Sequence, residues 1–224
     1  MYNATNQGTP HVRGAVRVLV ADDHQIVRQA VRRLLETQPD FVVVGEAADG
    51  REAVSLSGEL APDVVLMDVA MPRLNGIEAT RRILRRAPRP RVVALSVHDD
   101  PRTVRACLSA GATAYLPKSC DIEELTRAIE SARAGRPYVS PQVTPIGEDP
   151  APAGTASAAG VLTSREREVL QLMAEGHAPK QIAANLDLSV KTVETHRRQI
   201  AEKLGLHSVA EQTKFAIREG LTTL

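Results

Sequence analysis

The chain has 224 residues, of which 43% are hydrophobic, 2% aromatic and 25% charged. That suffices for one large or two small packed domains and excludes wholesale disorder. The formal net charge is +1 and there is no Trp, so a nucleic-acid partner rests on a local basic patch, not on global charge or aromatic stacking.

Residues 1–14 read as a flexible tail, and from Val16 the chain alternates. "VRVLVAD" reads as a strand, and "HQIVRQAVRRLLETQ" places Ile26, Val27, Ala30, Val31, Leu34 and Leu35 at helical spacing. Strand "FVVVGEA", helix "GREAVSLSGEL", strand "DVVLMD" and helix "GIEATRRILRRA" follow. Next come strand "RVVALS", helix "PRTVRACLSAG", strand "ATAYLP" and helix "DIEELTRAIESARAG". The last helix opens with Asp121 and Glu124, spaced as a capping box. Five strands alternating with five helices predict an α/β doubly wound, five-stranded parallel sheet over residues 15–136.

Residues 137–160, rich in Pro, Gly, Ala, Ser and Thr, read as a linker. Residues 161–224 read as a small all-α domain. Thr163 and Glu166 form a second capping box, and Gly176 closes that helix. Pro179 starts a short helix, "DLS" makes a tight turn, and Ser189 caps "VKTVETHRRQIAEKL". "SVAEQTKFAIREG" is a further helix.

Cys107 and Cys120 form no CxxC pair, which fits a reducing compartment. The polar N-terminal stretch and the lack of a long apolar run predict a cytoplasmic chain with no membrane partner.

Two constellations carry chemistry. In a doubly wound sheet, ligands bind beyond the carboxyl ends of the strands. Asp22 and Asp23 end the first strand and Asp68 the third, and the order 2-1-3-4-5 makes those strands neighbours. Converging carboxylates suit a hard divalent cation such as Mg²⁺, and Asp68 can then attack a phosphoryl group. Ser96 and Lys118, at the ends of the fourth and fifth strands, can hold phosphoryl oxygens. His24 fits a helix-start role better than a Mg²⁺ ligand.

The second constellation is helix, turn, helix. Ile182, Ala183 and Leu186 are spaced to pack on Val193, Ile200 and Leu204. Lys191, Glu194, Thr195, Arg198 and Glu202 then share the outer face, as a helix entering a major groove requires. Glu194 and Arg198 are also spaced to pair with each other on a solvated helix.

"ADDH", "MDVAMPRLNG", "ALS" and "AYLPK" resemble, in order and spacing, the receiver domain of two-component response regulators. "LTSREREVLQLMAEG" and "IAANLDLSVKTVETHRRQIAEKLG" resemble the LuxR-type helix-turn-helix of the NarL/FixJ regulators. The resemblance implies a flavodoxin-like receiver. Asp68 would be the phosphoacceptor, Asp22, Asp23 and Asp68 the Mg²⁺ site, and Lys118 a phosphoryl contact, with Ser96 and Tyr115 as the switch pair. It places Lys191, Thr192, Glu194, Thr195, His196 and Arg198 on the recognition helix. Pro117 precedes Lys118, where many receivers have Pro after the Lys.

The function implied is a phosphorylation-dependent transcription regulator, not an enzyme on an outside substrate, though able to release its own phosphate. Its expected partners are a sensor histidine kinase, promoter DNA and, once phosphorylated, a second copy of the chain. The alternative is a Mg²⁺-dependent phosphohydrolase with a helical partner-binding domain. Ala70, two residues after Asp68, offers no general acid and counts against it.

Overall fold

The computed structural model describes residues 14–86, 89–97, 100–143 and 161–222. The expected tail up to residue 13 and linker residues 144–160 lie outside them. The first domain runs β1 (Val16–Ala21), α1 (Gln25–Glu36), β2 (Phe41–Ala47), α2 (Gly50–Leu60), β3 (Val64–Asp68) and α3 (Gly76–Leu84). It continues with β4 (Arg91–Ser96), α4 (Pro101–Ser109), β5 (Ala114–Pro117), α5 (Ile122–Arg133) and β6 (Tyr138–Val139).

All strands are parallel, in the order β2-β1-β3-β4-β5-β6. Alternate side chains of one strand serve opposite faces of the sheet. Val65 and Met67 pack with α2, α3 and α4 through Ala53, Ile77 and Val104. Val64 and Leu66 pack with α1 and α5 through Leu35 and Ile129. Every residue of β3 is buried, as its unbroken apolar run requires.

The sheet has six strands where five were expected. Tyr138 and Val139 fall in the segment read as linker, yet pair with Ala114 and Tyr115 of β5. Two residues carry no period, so the pairing is set by tertiary contacts. Tyr138 Oη donates to Glu124 Oε1 at 3.2 Å, and Gln142 Nε2 donates to Glu124 Oε2 at 3.2 Å. Those contacts also change the cap of α5. Asp121 accepts from the Glu124 backbone N at 2.7 Å, but the Glu124 carboxylate turns to Tyr138 and Gln142.

The second domain comprises α6 (Ser164–Ala174), α7 (Pro179–Leu186), α8 (Val190–Leu204) and α9 (Val209–Arg218). The expected capping box at Thr163 and Glu166 is reciprocal, and Ser208 with Glu211 forms another on α9. Leu170, Ile182, Val193, Ile200 and Phe215 share its core.

The domains touch through α6, α7 and the end of α9 on one side, and α2, α4 and α3 with the loop before it on the other, where Arg51 donates to Asn185 O and Gly220 approaches Thr103. Arg167 reaches Glu78 Oε2 through Nε at 3.1 Å and Nη2 at 2.9 Å. Glu168 pairs with Arg82, and Ser164 meets Glu78. Gln171 donates to Met71 O at 2.9 Å, and Asn75 Nδ2 donates to Leu221 O at 3.1 Å. Glu78 and Glu168 are almost wholly buried, so these pairings satisfy charges that would otherwise be costly there.

Candidate functional site

The acids meet because the register brings two strand ends together. Ala21 of β1 pairs with Met67 of β3, so Asp22 and Asp68 follow side by side. Asp68 pairs in turn with Leu95 of β4, and Ser96 with Pro117 of β5. The Lys118 backbone N donates to Ser96 O at 2.7 Å, which fixes the lysine over the same edge.

Gly76 shapes the loop after Asp68. Its N donates to Val69 O at 2.9 Å, and a Cβ there would stand 1.9 Å from the Asp68 carbonyl oxygen. Only glycine allows that approach. Asn75 caps α3 by accepting from Glu78 N at 2.9 Å.

Lys118 Nζ lies 2.6 Å from Asp22 Oδ2 and 2.8 Å from Asp68 Oδ2. Asp68 Oδ1 accepts from Ala70 N at 3.2 Å. Burial pushes the Asp68 carboxyl up to about 6; Lys118 works against that and the Asp22 charge adds to it. Burial also works to lower Lys118, but the close carboxylates of Asp22 and Asp68 outweigh it and leave the ammonium above its ordinary range.

Asp22, Asp23, His24 and Asp68 each present a ligand atom within 4.8 Å of the others. Asp22 Oδ2, Asp23 Oδ1 and Asp68 Oδ2 are buried and accept no hydrogen bond of good geometry; Lys118 Nζ pairs with Asp22 and Asp68, and the His24 ring lies beside Asp23. Three converging carboxylate oxygens suit a hard, oxygen-seeking divalent cation. His24 is the N-cap residue of α1, as expected of a helix start, but its ring caps nothing. Instead its N donates to Asp22 Oδ1 at 2.8 Å, and Nδ1 lies 2.9 Å from Asp23 Oδ1.

Not every expected residue gathers here. Ser96 is buried at the end of β4, while Tyr115 lies fully buried in the core facing α2 to α4. A cavity of about 670 Å³ opens over Asp68 and Lys118, and neither Ser96 nor Tyr115 lines it.

On α8, Lys191, Glu194 and Arg198 are exposed, and Thr192, Thr195 and His196 are half-buried. Ser189 caps the helix by accepting from Thr192 N at 3.0 Å. Thr195 Oγ1 donates back to Lys191 O at 3.0 Å, so its hydroxyl is engaged within the helix. Glu194 pairs with Arg197 at 2.9 Å rather than with Arg198, which leaves the Arg198 guanidinium directed to solvent. Both spacings are open to a helical glutamate, and the three-residue one is used. The residues that join the domains, Glu78, Arg167 and Gln171, were not singled out by the sequence. Arg167 and Gln171 lie within the helix-turn-helix motif as polar residues beside Val169, Leu170 and Leu172 on α6, and Glu78 is a polar residue in the first turn of α3.

Comparison with known proteins agrees with this geometry. The family described as "Response regulator receiver domain" matches residues 18–130, and "Bacterial regulatory proteins, luxR family" matches residues 160–216. The chain belongs to the NarL/FixJ response regulators. It is 36% identical over 222 residues to the transcriptional regulatory protein DegU of Brevibacillus brevis, covering 92% of this chain and 94% of that one. It is 38% identical over 214 residues to LiaR of Bacillus subtilis (strain 168), covering 92% and 99%. Among solved structures, ChrA of a heme-sensing two-component system is 33% identical, with a TM-score of 0.52 and coverage of 93% and 99%. A complex of the response regulator RcsB with DNA is 25% identical, with a TM-score of 0.56 and coverage of 92% and 98%.

The NarL/FixJ chain is thus a two-component transcription regulator: a receiver joined to a LuxR-type DNA-binding domain. That assignment supports the regulator over the phosphohydrolase alternative. Among the described residues, no helix is long and apolar enough to cross a membrane.

Proposed function

We propose that Asp68 accepts a phosphoryl group from a sensor histidine kinase and that the modified chain binds promoter DNA through α8. The observation that carries this reading is the position of Lys118 Nζ, 2.6 Å from Asp22 and 2.8 Å from Asp68. A lysine held there meets the transferring oxygens as their charge develops. Asp22, Asp23 and Asp68 would hold a Mg²⁺ ion, which when bound neutralises the carboxylates and the phosphoryl oxygens. Asp68 supplies the nucleophilic oxygen. Its elevated pKa of about 6 still leaves it largely ionised at neutral pH. Ala70 offers no general acid nearby, so release of phosphate is slow self-hydrolysis rather than turnover of an outside substrate.

Ser96 turns toward the phosphoryl group, and Tyr115 moves into the space it leaves. The β4–β5 face is then the element that differs between states. Two chains pair on a symmetric DNA site, each through residues 161–224, with residues 144–160 linking that domain to the receiver. Arg198 and Glu194 read base edges, Thr192 and Thr195 line the groove, and Lys191 and His196 touch phosphates. The exposure of Lys191, Glu194 and Arg198 while the domains are docked supports this orientation. A sensor kinase partner and DNA as target both fit a cytoplasmic location.

The test is incubation with a small phosphodonor and Mg²⁺, with the adduct mapped by mass spectrometry. One phosphate on Asp68 in the wild type and none in Asp68→Asn is expected. Equal uptake by both would end the assignment.

A further inference from the structure

The cavity over Asp68 is not made by the receiver alone. One side carries Asp68 and Lys118, and the opposite wall is the end of the DNA-binding domain, Ile217, Arg218, Gly220 and Thr222. The approach is close: a Cβ on Gly220 would stand 3.5 Å from Thr103 Oγ1 and 3.8 Å from Ile77 Cδ1. The bond from Asn75 Nδ2 to Leu221 O, at 3.1 Å, fastens this end beside the loop that follows Asp68.

The charges around the cavity are unequally engaged. Lys118 is committed to Asp22 and Asp68, and the Asp100 carboxylate caps α4 by accepting from Thr103 N at 3.3 Å. Arg218 is held more loosely. Its side chain is 57% exposed, its ion pair to Glu219 is long at 3.8 Å, and its guanidinium lies 5.5 Å from the centre of the Phe215 ring. Arg102, at the start of α4 in the receiver, adds a second guanidinium to the lining of the cavity. A guanidinium presents several fixed donors, the geometry that suits phosphate and carboxylate oxygens.

We infer that Arg218, a residue of the DNA-binding domain, is a donor-binding residue of the phosphorylation site, and that the docked chain captures a small acyl phosphate between its two domains. This rests on Asp68 being the acceptor. A cavity of about 670 Å³ has the size of a small-molecule pocket. The phosphoryl oxygens of the donor, already charged before transfer, lie beside Asp68 with Lys118 on one side and Arg218 and Arg102 on the other, and the uncharged acyl end fills the rest of the cavity. In the transfer, an Asp68 carboxylate oxygen forms a bond to phosphorus as the bond from phosphorus to the acyl oxygen breaks. The electron pair leaves on that oxygen as a free carboxylate, and no proton changes place. Arg218 acts on capture of the donor and not on the bond that breaks. Its loss therefore raises the half-saturating donor concentration and leaves the maximal rate alone.

The experiment uses the full chain with Mg²⁺ and acetyl phosphate, following uptake by intact mass at a series of donor concentrations. Arg218→Ala is expected to raise the half-saturating concentration about fivefold with the maximal rate within about twofold. Arg218→Lys should recover most of the loss, because the positive charge remains. Gln171→Ala, which loosens docking, should produce a similar rise, and the double variant no further one, since either change removes the same guanidinium. An unchanged half-saturating concentration in Arg218→Ala would overturn the inference. Faster uptake in Gln171→Ala would also overturn it, because the domain would then be an obstruction and not part of the site. Phosphate uptake by Asp68→Asn would instead overturn the assignment of the acceptor, whatever Arg218 does.

Discussion

Gln171 Oε1 accepts from both the backbone N and the side-chain Nδ2 of Asn75, each at 3.1 Å. One side chain of the DNA-binding domain thereby grips the residue that caps α3, in the loop that begins at Asp68. The grip is buried: Gln171 and Asn75 are each 1% exposed. Gln171→Ala leaves the Met71 carbonyl and the Asn75 amide without these partners. It should weaken docking by about 1–3 kcal/mol. The measurement is small-angle scattering with hydrogen exchange. Expansion of the chain, with α3 and α6 losing protection together, is expected. Unchanged dimensions and protection would mean that the ion pairs of Glu78 and Glu168, with the bonds from Asn75 to Leu221 and from Arg51 to Asn185, hold the domains without Gln171.

Gly76 is the steric key to the loop that follows Asp68. In Gly76→Ala the new Cβ meets the Asp68 carbonyl oxygen, a backbone atom that cannot swing aside. The variant should lose about 1–3 kcal/mol of receiver stability and most phosphate uptake. Chemical denaturation and intact mass measure the two effects. Full stability with normal uptake would show that the loop has room it lacks in this structure.

Arg198 is expected to carry sequence preference, since Glu194 is paired to Arg197 and Arg198 is not. Arg198→Ala should cost about 1–3 kcal/mol on the preferred site and far less on unrelated DNA. Lys191→Ala should weaken both alike and flatten the salt dependence. Competition binding on selected and scrambled duplexes separates the two. An Arg198→Ala chain with unaltered preference would mean that α8 enters the groove on another face.

Glu166 gives the DNA-binding domain a pH dependence. Burial works to raise its carboxyl, but hydrogen bonds from Lys203 Nζ and Thr163 N, both at 2.7 Å, hold it below the ordinary 4.5. The folded domain then binds fewer protons than the unfolded chain. The stabilisation is present above the unfolded value and is lost as pH falls through the folded one. Melting between about pH 6 and pH 3 should show a fall in stability that Glu166→Gln makes shallower. An identical pH profile in the variant would assign the acid lability to other carboxylates.

The residues differ in how plainly they announced themselves. β1 to β5 and their helices were legible because apolar spacing repeats over five or more residues in most of them, and Asp22, Asp23, Asp68 and Lys118 stand where those runs stop. β6 was not legible, because Tyr138 and Val139 become a strand only by meeting β5 and Glu124. The domain contact was silent for the same reason. Arg167 and Gln171 look like ordinary polar helix residues until Glu78 and Asn75 arrive from far along the chain. Glu194 shows a smaller ambiguity, as local spacing allowed Arg197 or Arg198 and side-chain packing chose.

The central claim is that a phosphoryl group on Asp68 controls DNA binding. The most direct measurement is the affinity of the full chain for a duplex it selects from a random pool, with and without beryllofluoride, in wild type and Asp68→Asn. Fluorescence anisotropy gives Kd, and sedimentation of the same samples gives the assembly state. Beryllofluoride should tighten binding by the wild type about tenfold, a gain of about 1.4 kcal/mol, while shifting it from monomer to dimer. Asp68→Asn should show neither change. Equal affinity with and without beryllofluoride in the wild type, or the same gain in Asp68→Asn, would contradict the account.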